Sequence, residues 1–258
     1  MTDTNNKTLL DLCLSITGAF ENGTPRYDGV SGNSDGMGIS VGIIQWNAGQ
    51  GTLQDLLQRI AAKAGWSKLQ SFFISNIQEF ASLSPKDAVQ FCIEHYIESG
   101  SNRVAPAALQ AWEKLLSLPE SIETQVEMAT DQYLKPALNK AALYCPNSAN
   151  RTRVVSFFFD ETVQEGSMQD IEPLAEADQS QLFEALDFAS LHAPHTTEKW
   201  RSTANTDSLA ALLLCYGYAR AKKARPEYMW DAFSRRGTIA CRYGWVHGQE
   251  FDFTTKLD

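Results

Sequence analysis

Apolar positions near the start of the chain follow the spacing of an amphipathic helix. The apolar residues from Leu9 to Phe20 recur at steps of four, three and four, which places them on one helical face. This pattern predicts a helix over residues 6–21, ended by the Asn-Gly pair and the proline that follow. Glu21 therefore falls in the last turn, at the margin of the apolar face.

The helical spacing of apolar residues is absent from the next 25 residues. Residues 23–38 are rich in Gly, Ser, Asn and Asp and predict a loop. Residues 39–46, with the sequence ISVGIIQW, are largely β-branched and predict a strand. The segment around residues 27–30 is its candidate partner in a small β-hairpin.

Helical periodicity dominates the rest of the chain, interrupted by proline and polar breaks. Thr52 with Asp55 is typical of a capping box, Ser84 before Pro85 of a capped start, and Pro136 of a kink. Helices are predicted over residues 52–64, 67–81, 85–98, 105–117, 121–142, 151–165, 179–192, 206–224 and 226–236. Residues 166–178 are predicted to form a polar connection, and the tail, 238–253, to be irregular.

These elements predict a mainly α (α+β) fold with one small β-hairpin flanking a cleft. No low-complexity linker separates two domains, so residues 1–258 are interpreted as a single domain of two helical lobes. The segment 151–165 is apolar nearly all round, which is typical of a buried central helix.

Composition narrows the classes of function. The chain has 258 residues, of which 43% are hydrophobic and 21% charged, as in ordinary globular proteins. Its net charge of -9 argues against nucleic acid as a partner. The apolar runs are too short to span a membrane, and the N-terminus lacks the basic region of a signal peptide. No Walker loop, GxGxxG or metal-ligand cluster is present, so no cofactor or metal is expected.

The cysteines predict a reduced protein. The count of five is odd, the residues are widely spaced, and their surroundings are mostly apolar. Buried free thiols are therefore expected, rather than disulfides.

Two carboxylates flank the glycine-rich loop and suggest glycosidic bond cleavage. This reaction requires a protonated acid for the leaving oxygen and a second carboxylate that orients water or attacks the sugar. Glu21, beside apolar neighbours at a helix end, suits the acid, and Asp35, in a polar loop, suits the second carboxylate. Ser40 is a candidate for holding the water, and Asp28 is an alternative to Asp35.

Several other polar residues have roles that the sequence leaves open. Asp160 and Glu161 lie in an apolar helix, where a paired buried acid is the simpler interpretation. Arg235 and Arg236 suit either salt bridges or substrate contacts. His247 belongs to an aromatic and polar cluster near the C-terminus that is a candidate lining of the cleft.

Residues 34–46, SDGMGISVGIIQW, resemble the catalytic hairpin of chitosanases of the lysozyme superfamily. In that family a helix ends in a catalytic Glu followed by Asn, and a D-G-x-G segment begins with the catalytic Asp. The resemblance implies that Glu21 is the general acid and Asp35 the general base or electrostatic stabiliser. It also implies that Ser40 takes the place of a Thr that positions the attacking water.

Residues 42–47, GIIQWN, resemble a segment of lysozyme-like peptidoglycan hydrolases. The resemblance implies that Gln45 bonds a sugar N-acetyl group and that Trp46 stacks on a sugar ring. Asn47 is grouped with them as a substrate contact. For Trp46, packing in the core is an equally strong interpretation.

The preferred function from the sequence is a glycoside hydrolase that cleaves the β-1,4 bonds of peptidoglycan. A delivered antibacterial effector with a cognate inhibitor protein would fit the lack of a signal peptide, since such a protein is made in the cytoplasm and acts beyond it. The alternative substrate is chitosan, a cationic polymer that suits the negative charge. A non-catalytic cell-wall-binding protein is the alternative from another class.

Overall fold

The computed structural model describes residues 3–22, 26–164, 168 and 170–258, without the side chains of residues 3–7 and 21–22. The chain divides into two compact units. The first unit comprises Met1–Phe20 and Gln132–Asp258, and the second comprises Glu21–Asp131. The chain thus passes from the first unit to the second directly before Glu21.

The second unit contains a small antiparallel sheet. Its strands are β1 (Val30–Ser31), β2 (Ser40–Val41) and β3 (Trp46–Asn47). The central strand, β2, pairs with both neighbours, so that Ser40 lies opposite Ser31 and Asn47.

The predicted single strand over residues 39–46 is wrong. The segment reverses direction between β2 and β3, where Gly42 has a φ of 79° and Gln45 a φ of 59°. Such positive φ values interrupt an extended strand and are typical of tight turns. The β-branched run is therefore divided into two short strands, and the expected hairpin is a three-stranded sheet.

Short helices form the rest of the second unit. They are α2 (Thr52–Ala64), α3 (Trp66–Gln70), α4 (Ile77–Phe80), α5 (Pro85–His95), α6 (Pro106–Leu116) and α7 (Pro119–Ala129). The cap at Ser84 is confirmed, because its side chain accepts a hydrogen bond from the N–H of Asp87.

Two predictions in the second unit need correction. The predicted helix over 67–81 is two helices, because Asn76 starts a new one by capping α4. The capping box at Thr52 is absent: the N-cap is Gly51, without a side-chain cap, and the Thr52 hydroxyl instead accepts from the N–H of Asn47 at 2.9 Å.

The first unit is built around a buried helix. Its elements are α1 (Asp3–Asn22), α8 (Lys135–Tyr144), α9 (Thr152–Gln164), α10 (Gln179–His192), α11 (Pro194–Thr206), α12 (Ser208–Ala221), α13 (Met229–Cys241), β4 (Tyr243–Val246) and β5 (Gln249–Asp252). Residues 153–162 of α9 are all buried, which confirms the predicted central helix.

Three features of the first unit differ from the predictions. The helix predicted over 121–142 is divided by a π-helical turn, Thr130–Leu134, just before Pro136 at the start of α8. Helix α11 was not predicted. The tail predicted to be irregular forms the antiparallel hairpin of β4 and β5.

Within the part of the chain that the structure describes, no helix is both long enough and apolar enough to cross a bilayer.

Candidate functional site

Asp35 lies on the loop that connects β1 to β2. Its side chain is exposed, and its Oδ1 accepts a hydrogen bond from the N–H of Met37 at 3.0 Å. The glycines on either side of Met37 have φ values of 79° and 81°, a conformation that side chains disfavour. The D-G-x-G sequence is therefore the local reason that Asp35 stands at the tip of a tight turn.

Asn33 anchors this loop at both of its ends. Its side-chain Oδ1 accepts from the N–H of Gly38 at 2.8 Å, and its own N–H donates to the carbonyl of Asn102 at 2.9 Å. A Cβ on Gly38 would lie 3.1 Å from the Cβ of Ala48 and 3.3 Å from the Sγ of Cys92. The loop base is thus packed against the interior, while Asp35 faces solvent.

Ser40 follows the loop as the first residue of β2. It is 9% exposed and lies opposite Ser31 and Asn47 in the sheet. The structure therefore fixes its backbone on both sides. Its proposed contact with a water molecule remains a prediction.

The residues expected to contact substrate from the GIIQWN segment are engaged within the second unit. The Gln45 side chain donates to the carbonyl of Gly42 at 2.9 Å, and Asn47 Oδ1 accepts from the N–H of Gln50 at 2.8 Å. Trp46 is only 2% exposed, so its ring has no face open to a sugar. In this geometry the three residues build the turn, and a substrate contact by Gln45 or Asn47 remains a prediction.

Gln125 is a residue that the sequence pattern did not single out. This side chain from α7 is fully buried; its Oε1 accepts from the N–H of Ile43 at 3.1 Å, and its Nε2 donates to the carbonyl of Tyr27 at 3.1 Å. It holds the turn after β2 against the segment before β1. No local signal marks it, because its partners lie 82 and 98 residues away.

Asp28, the alternative second carboxylate, is part of an exposed ion-pair chain. Arg26 lies 2.9 Å from Asp28 and 3.2 Å from Glu113. The hydrogen bond from the Arg26 guanidinium holds the pKa of the Asp28 carboxyl below its usual value. The structure thus gives Asp28 a structural partner, whereas Asp35 has only a backbone donor among the hydrogen bonds of the described chain.

Glu21 lies in the last turn of α1, as predicted, and its side chain is outside the described residues. The residue before it is held firmly. The carbonyl of Phe20 lies 3.0 Å from Nδ1 of His247, and the Phe20 ring packs edge-on against Phe251 at 5.0 Å. The Arg235 guanidinium lies over the same ring, 5.1 Å from its centroid.

Arg235 belongs to a buried ion pair that reaches α1. Its Nη2 lies 2.6 Å from Oδ1 of Asp160, and Thr17 of α1 donates to the same oxygen at 3.2 Å. Asp160 is fully buried, and the Arg235 side chain is 2% exposed. A buried pair of this kind is costly to break, because either partner alone would leave a buried charge. It fixes α9, α13 and α1 together near the helix end that precedes Glu21.

The neighbouring charged residues are also paired within the first unit. Glu161 is fully buried and forms ion pairs with Lys140 and, at 3.6 Å, with Arg220. Arg236 donates to the carbonyl of Ala232 at 2.6 Å within α13. These three contacts favour the structural interpretation of Glu161 and Arg236.

Comparisons with known proteins bear on the fold. No protein-family model matches the sequence, and no curated protein matches it. Among solved structures, a GH46 chitosanase of Gynuella sunshinyii in complex with chitotetraose superposes with a TM-score of 0.56 at 15% identity, covering 97% of this chain and 98% of that one. A native chitosanase of Bacillus subtilis MY002 superposes with a TM-score of 0.52 at 14% identity, covering 93% and 88%.

The chain has the fold of the GH46 chitosanases. The match extends over nearly the whole length of both chains, so it is not confined to the loop that carries Asp35. The predicted mainly α, lysozyme-like fold is thereby confirmed. At identities of this size, the likeness concerns the fold, and the chemistry depends on the residues of this chain.

Proposed function

We propose that this chain is a glycoside hydrolase that cleaves the β-1,4 bonds of an amino-sugar polymer, with chitosan as the substrate. The observation that carries the proposal is Asp35, exposed at the tip of a loop whose base is anchored by Asn33. This placement leaves a carboxylate open to water and substrate. It occurs in a fold whose solved examples include a chitosanase bound to chitotetraose.

The comparisons favour chitosan over peptidoglycan as the substrate. Peptidoglycan was favoured by the GIIQWN segment, but Trp46 is buried and the Gln45 amide closes its own turn. The proteins of similar fold are described as chitosanases. A net charge of -9 also suits a cationic polymer, because opposite charge raises the rate of encounter. Chitosan is therefore the better-supported substrate.

Two carboxylates take the catalytic roles. Glu21, at the end of α1, protonates the leaving glycosidic oxygen, and Asp35 activates or orients the attacking water. Asp35 suits the second role because its exposed side chain is held through one oxygen by the N–H of Met37. Ser40 assists by positioning the water.

The test is reducing-sugar release from chitosan by the purified protein and its variants. Glu21→Gln and Asp35→Asn should each lower kcat by about 100-fold or more, because each removes one proton-transfer or water-orienting group. Asp55→Asn is a matched control, since Asp55 is an exposed carboxylate paired with Arg59 on α2. It should keep wild-type activity.

A further variant and a second substrate separate the alternatives. If Asp28→Asn abolishes activity and Asp35→Asn does not, the roles of the two aspartates are reversed. Clearance of purified cell walls without release from chitosan would restore peptidoglycan as the substrate. If no sugar is released from either polymer while binding is retained, the chain is a non-catalytic wall-binding protein and the proposed enzymatic activity is refuted.

A further inference from the structure

A cavity of about 350 Å³ lies within the first unit. Its wall is formed by the end of α10, the first turn of α11, the start of α13 and the turn between β4 and β5. The lining includes His192, His195, Thr196, Trp230, Trp245 and His247. Its volume falls near the lower end of the range of roughly 300–1,000 Å³ that small-molecule sites occupy.

Two indole rings dominate this cavity, and one of them is open. Trp230 is fixed by a parallel stack on His192, with centroids 4.9 Å apart and planes inclined by 11°. Trp245, on β4, is 44% exposed, which is unusual for so large an apolar ring. An aromatic ring held at the rim of a cavity offers a flat apolar face to a ligand while its edge remains in water.

The polar groups of the cavity are neutral or cationic. Three of the lining side chains are imidazoles, and none of the described lining residues carries a carboxylate. The nearest acid on α13, Asp231, is already engaged: one oxygen lies 2.5 Å from Nε2 of His247, and the other accepts from Gln164 at 3.0 Å. A ligand with an ammonium group would therefore find no free counter-charge in this wall.

The first turn of α11 adds hydrogen-bond donors to the same wall. The N-cap, Ala193, provides no side-chain cap, and the helix begins with Pro194. The first helical hydrogen bond runs from the N–H of Thr197 to the carbonyl of Ala193 at 2.9 Å, so the backbone N–H groups of His195 and Thr196 have no acceptor within the helix and suit a carbonyl oxygen of a ligand. The cavity thus combines an apolar face with donors for a neutral carbonyl.

We propose that this cavity binds an N-acetylated, uncharged sugar residue of the polymer. The acetamido methyl group and the sugar ring pack on Trp245, and the acetamido carbonyl accepts from the first turn of α11. The choice of a sugar rests on the proposed function, whereas the preference for the acetylated form follows from the cavity's own charges. The site would retain acetylated units of a mixed chain.

The test uses two monosaccharide probes that contain no bond for the enzyme to cleave. Methyl β-N-acetylglucosaminide and methyl β-glucosaminide are titrated into the ¹⁵N-labelled protein, at a pH at which the glucosamine amine is charged. The indole N–H signals of the six tryptophans report binding, and the Trp245 signal is assigned by its loss in Trp245→Ala. Only the acetylated probe should shift that signal.

Substitutions at Trp245 test whether its ring contacts the acetylated probe. Trp245→Ala should raise the Kd of the acetylated probe by about tenfold, as expected for loss of an aromatic contact, and Trp245→Phe should recover part of the affinity. Phe183→Ala removes an exposed aromatic side chain on α10 that does not line the cavity, and should leave the Kd unchanged.

Two results would overturn the proposal: equal binding of both probes, or unchanged affinity in Trp245→Ala. Because the probes are not cleaved, the outcome does not depend on catalysis. A protein that releases no sugar from chitosan but binds the acetylated probe at Trp245 would refute the proposed function and leave this site standing.

Discussion

Asn33 should control activity without touching substrate, because it anchors the loop that presents Asp35. Replacement by alanine removes the side-chain oxygen that accepts from the N–H of Gly38 at 2.8 Å. Gly38 is buried, so its N–H would lose its partner in a place that water reaches poorly. A buried donor left unsatisfied costs about 1–3 kcal/mol.

This loss of free energy should lower both the stability of the fold and kcat. We expect Asn33→Ala to lower the free energy of unfolding by about 1–2 kcal/mol, because Asn33 itself is only partly buried and water can relieve part of the loss. If the same free energy is lost from the placement of Asp35, kcat falls by a factor of about 5–30. KM should change little, because no group that binds substrate is removed.

Urea denaturation and initial rates on chitosan measure the two effects. Asn33→Asp keeps the acceptor oxygen and should recover the lost stability. Asn102→Ala is the matched control, because the contact with Asn33 uses only the backbone carbonyl of Asn102. Full activity in Asn33→Ala despite its lower stability would show that the loop anchor does not place Asp35. An aspartate variant as unstable as the alanine variant would show that the acceptor oxygen is not what holds Gly38.

Two further predictions concern stability and chemical reactivity. Asp207→Asn should destabilise the protein by about 3 kcal/mol at neutral pH in urea denaturation, because Arg153, 1% exposed, would lose its charged partner at 2.7 Å. Burial raises the pKa of Asp207, but the hydrogen bonds from Arg153 and from the N–H of Ala210 outweigh it, so the net pKa lies below 3.8. A carboxyl whose folded-state pKa is lowered stabilises the fold above that ordinary value, and the contribution is lost as the pH falls through the folded-state pKa. The difference between wild type and variant should therefore close in acid, and a gap that persists there would contradict the ion-pair explanation. Burial also raises the pKa of Cys13 and Cys92 to about 12 each, and all five cysteines are buried and free. Iodoacetamide at neutral pH should modify them only after unfolding, as mass spectrometry would show; rapid labelling of the native protein would contradict their burial.

The helices show what could be predicted from the sequence. Where apolar residues follow a helical period and a cap is present, as at Ser84, the element is found close to its predicted position. Helix α11 was missed because its sequence, PHTTEKWRSTANT, is polar, and its buried face consists of Thr196, Thr197, Trp200 and Ala204, of which only Trp200 is large and apolar. A buried face with one large apolar residue gives no hydrophobic period in the sequence.

The strands show why residue type alone does not predict the path of the backbone. The β-branched residues around Ile43 predict extended backbone, but the positive φ values at Gly42 and Gln45 turn the chain back on itself. The Gln125 side chain accepts from the N–H of Ile43 in that turn. The turn therefore depends on a residue 82 positions away, which no local pattern contains.

The candidate site was predictable to the extent that its determinants are local. The D-G-x-G pattern, which singled out Asp35 through its resemblance to the chitosanase segment, also encodes the turn of that loop through two glycines with positive φ. The contacts that hold the helix end before Glu21 could not be predicted, because the carbonyl of Phe20 is held by His247, 227 residues later in the chain. His247 has a φ of 51° in the turn between β4 and β5, and the neighbouring sequence does not predict this conformation.

The two proposed catalytic carboxylates are thus supported by different kinds of interaction. The base of the Asp35 loop is held by the Asn33 amide and by backbone groups, which carry no charge. The end of α1 is held by charged groups, because Asp160 is paired with Arg235, and Nε2 of His247 faces Asp231. The helix end that precedes Glu21 therefore depends on ion pairs between residues far apart in the chain, whereas the loop that presents Asp35 depends on its glycines and on Asn33.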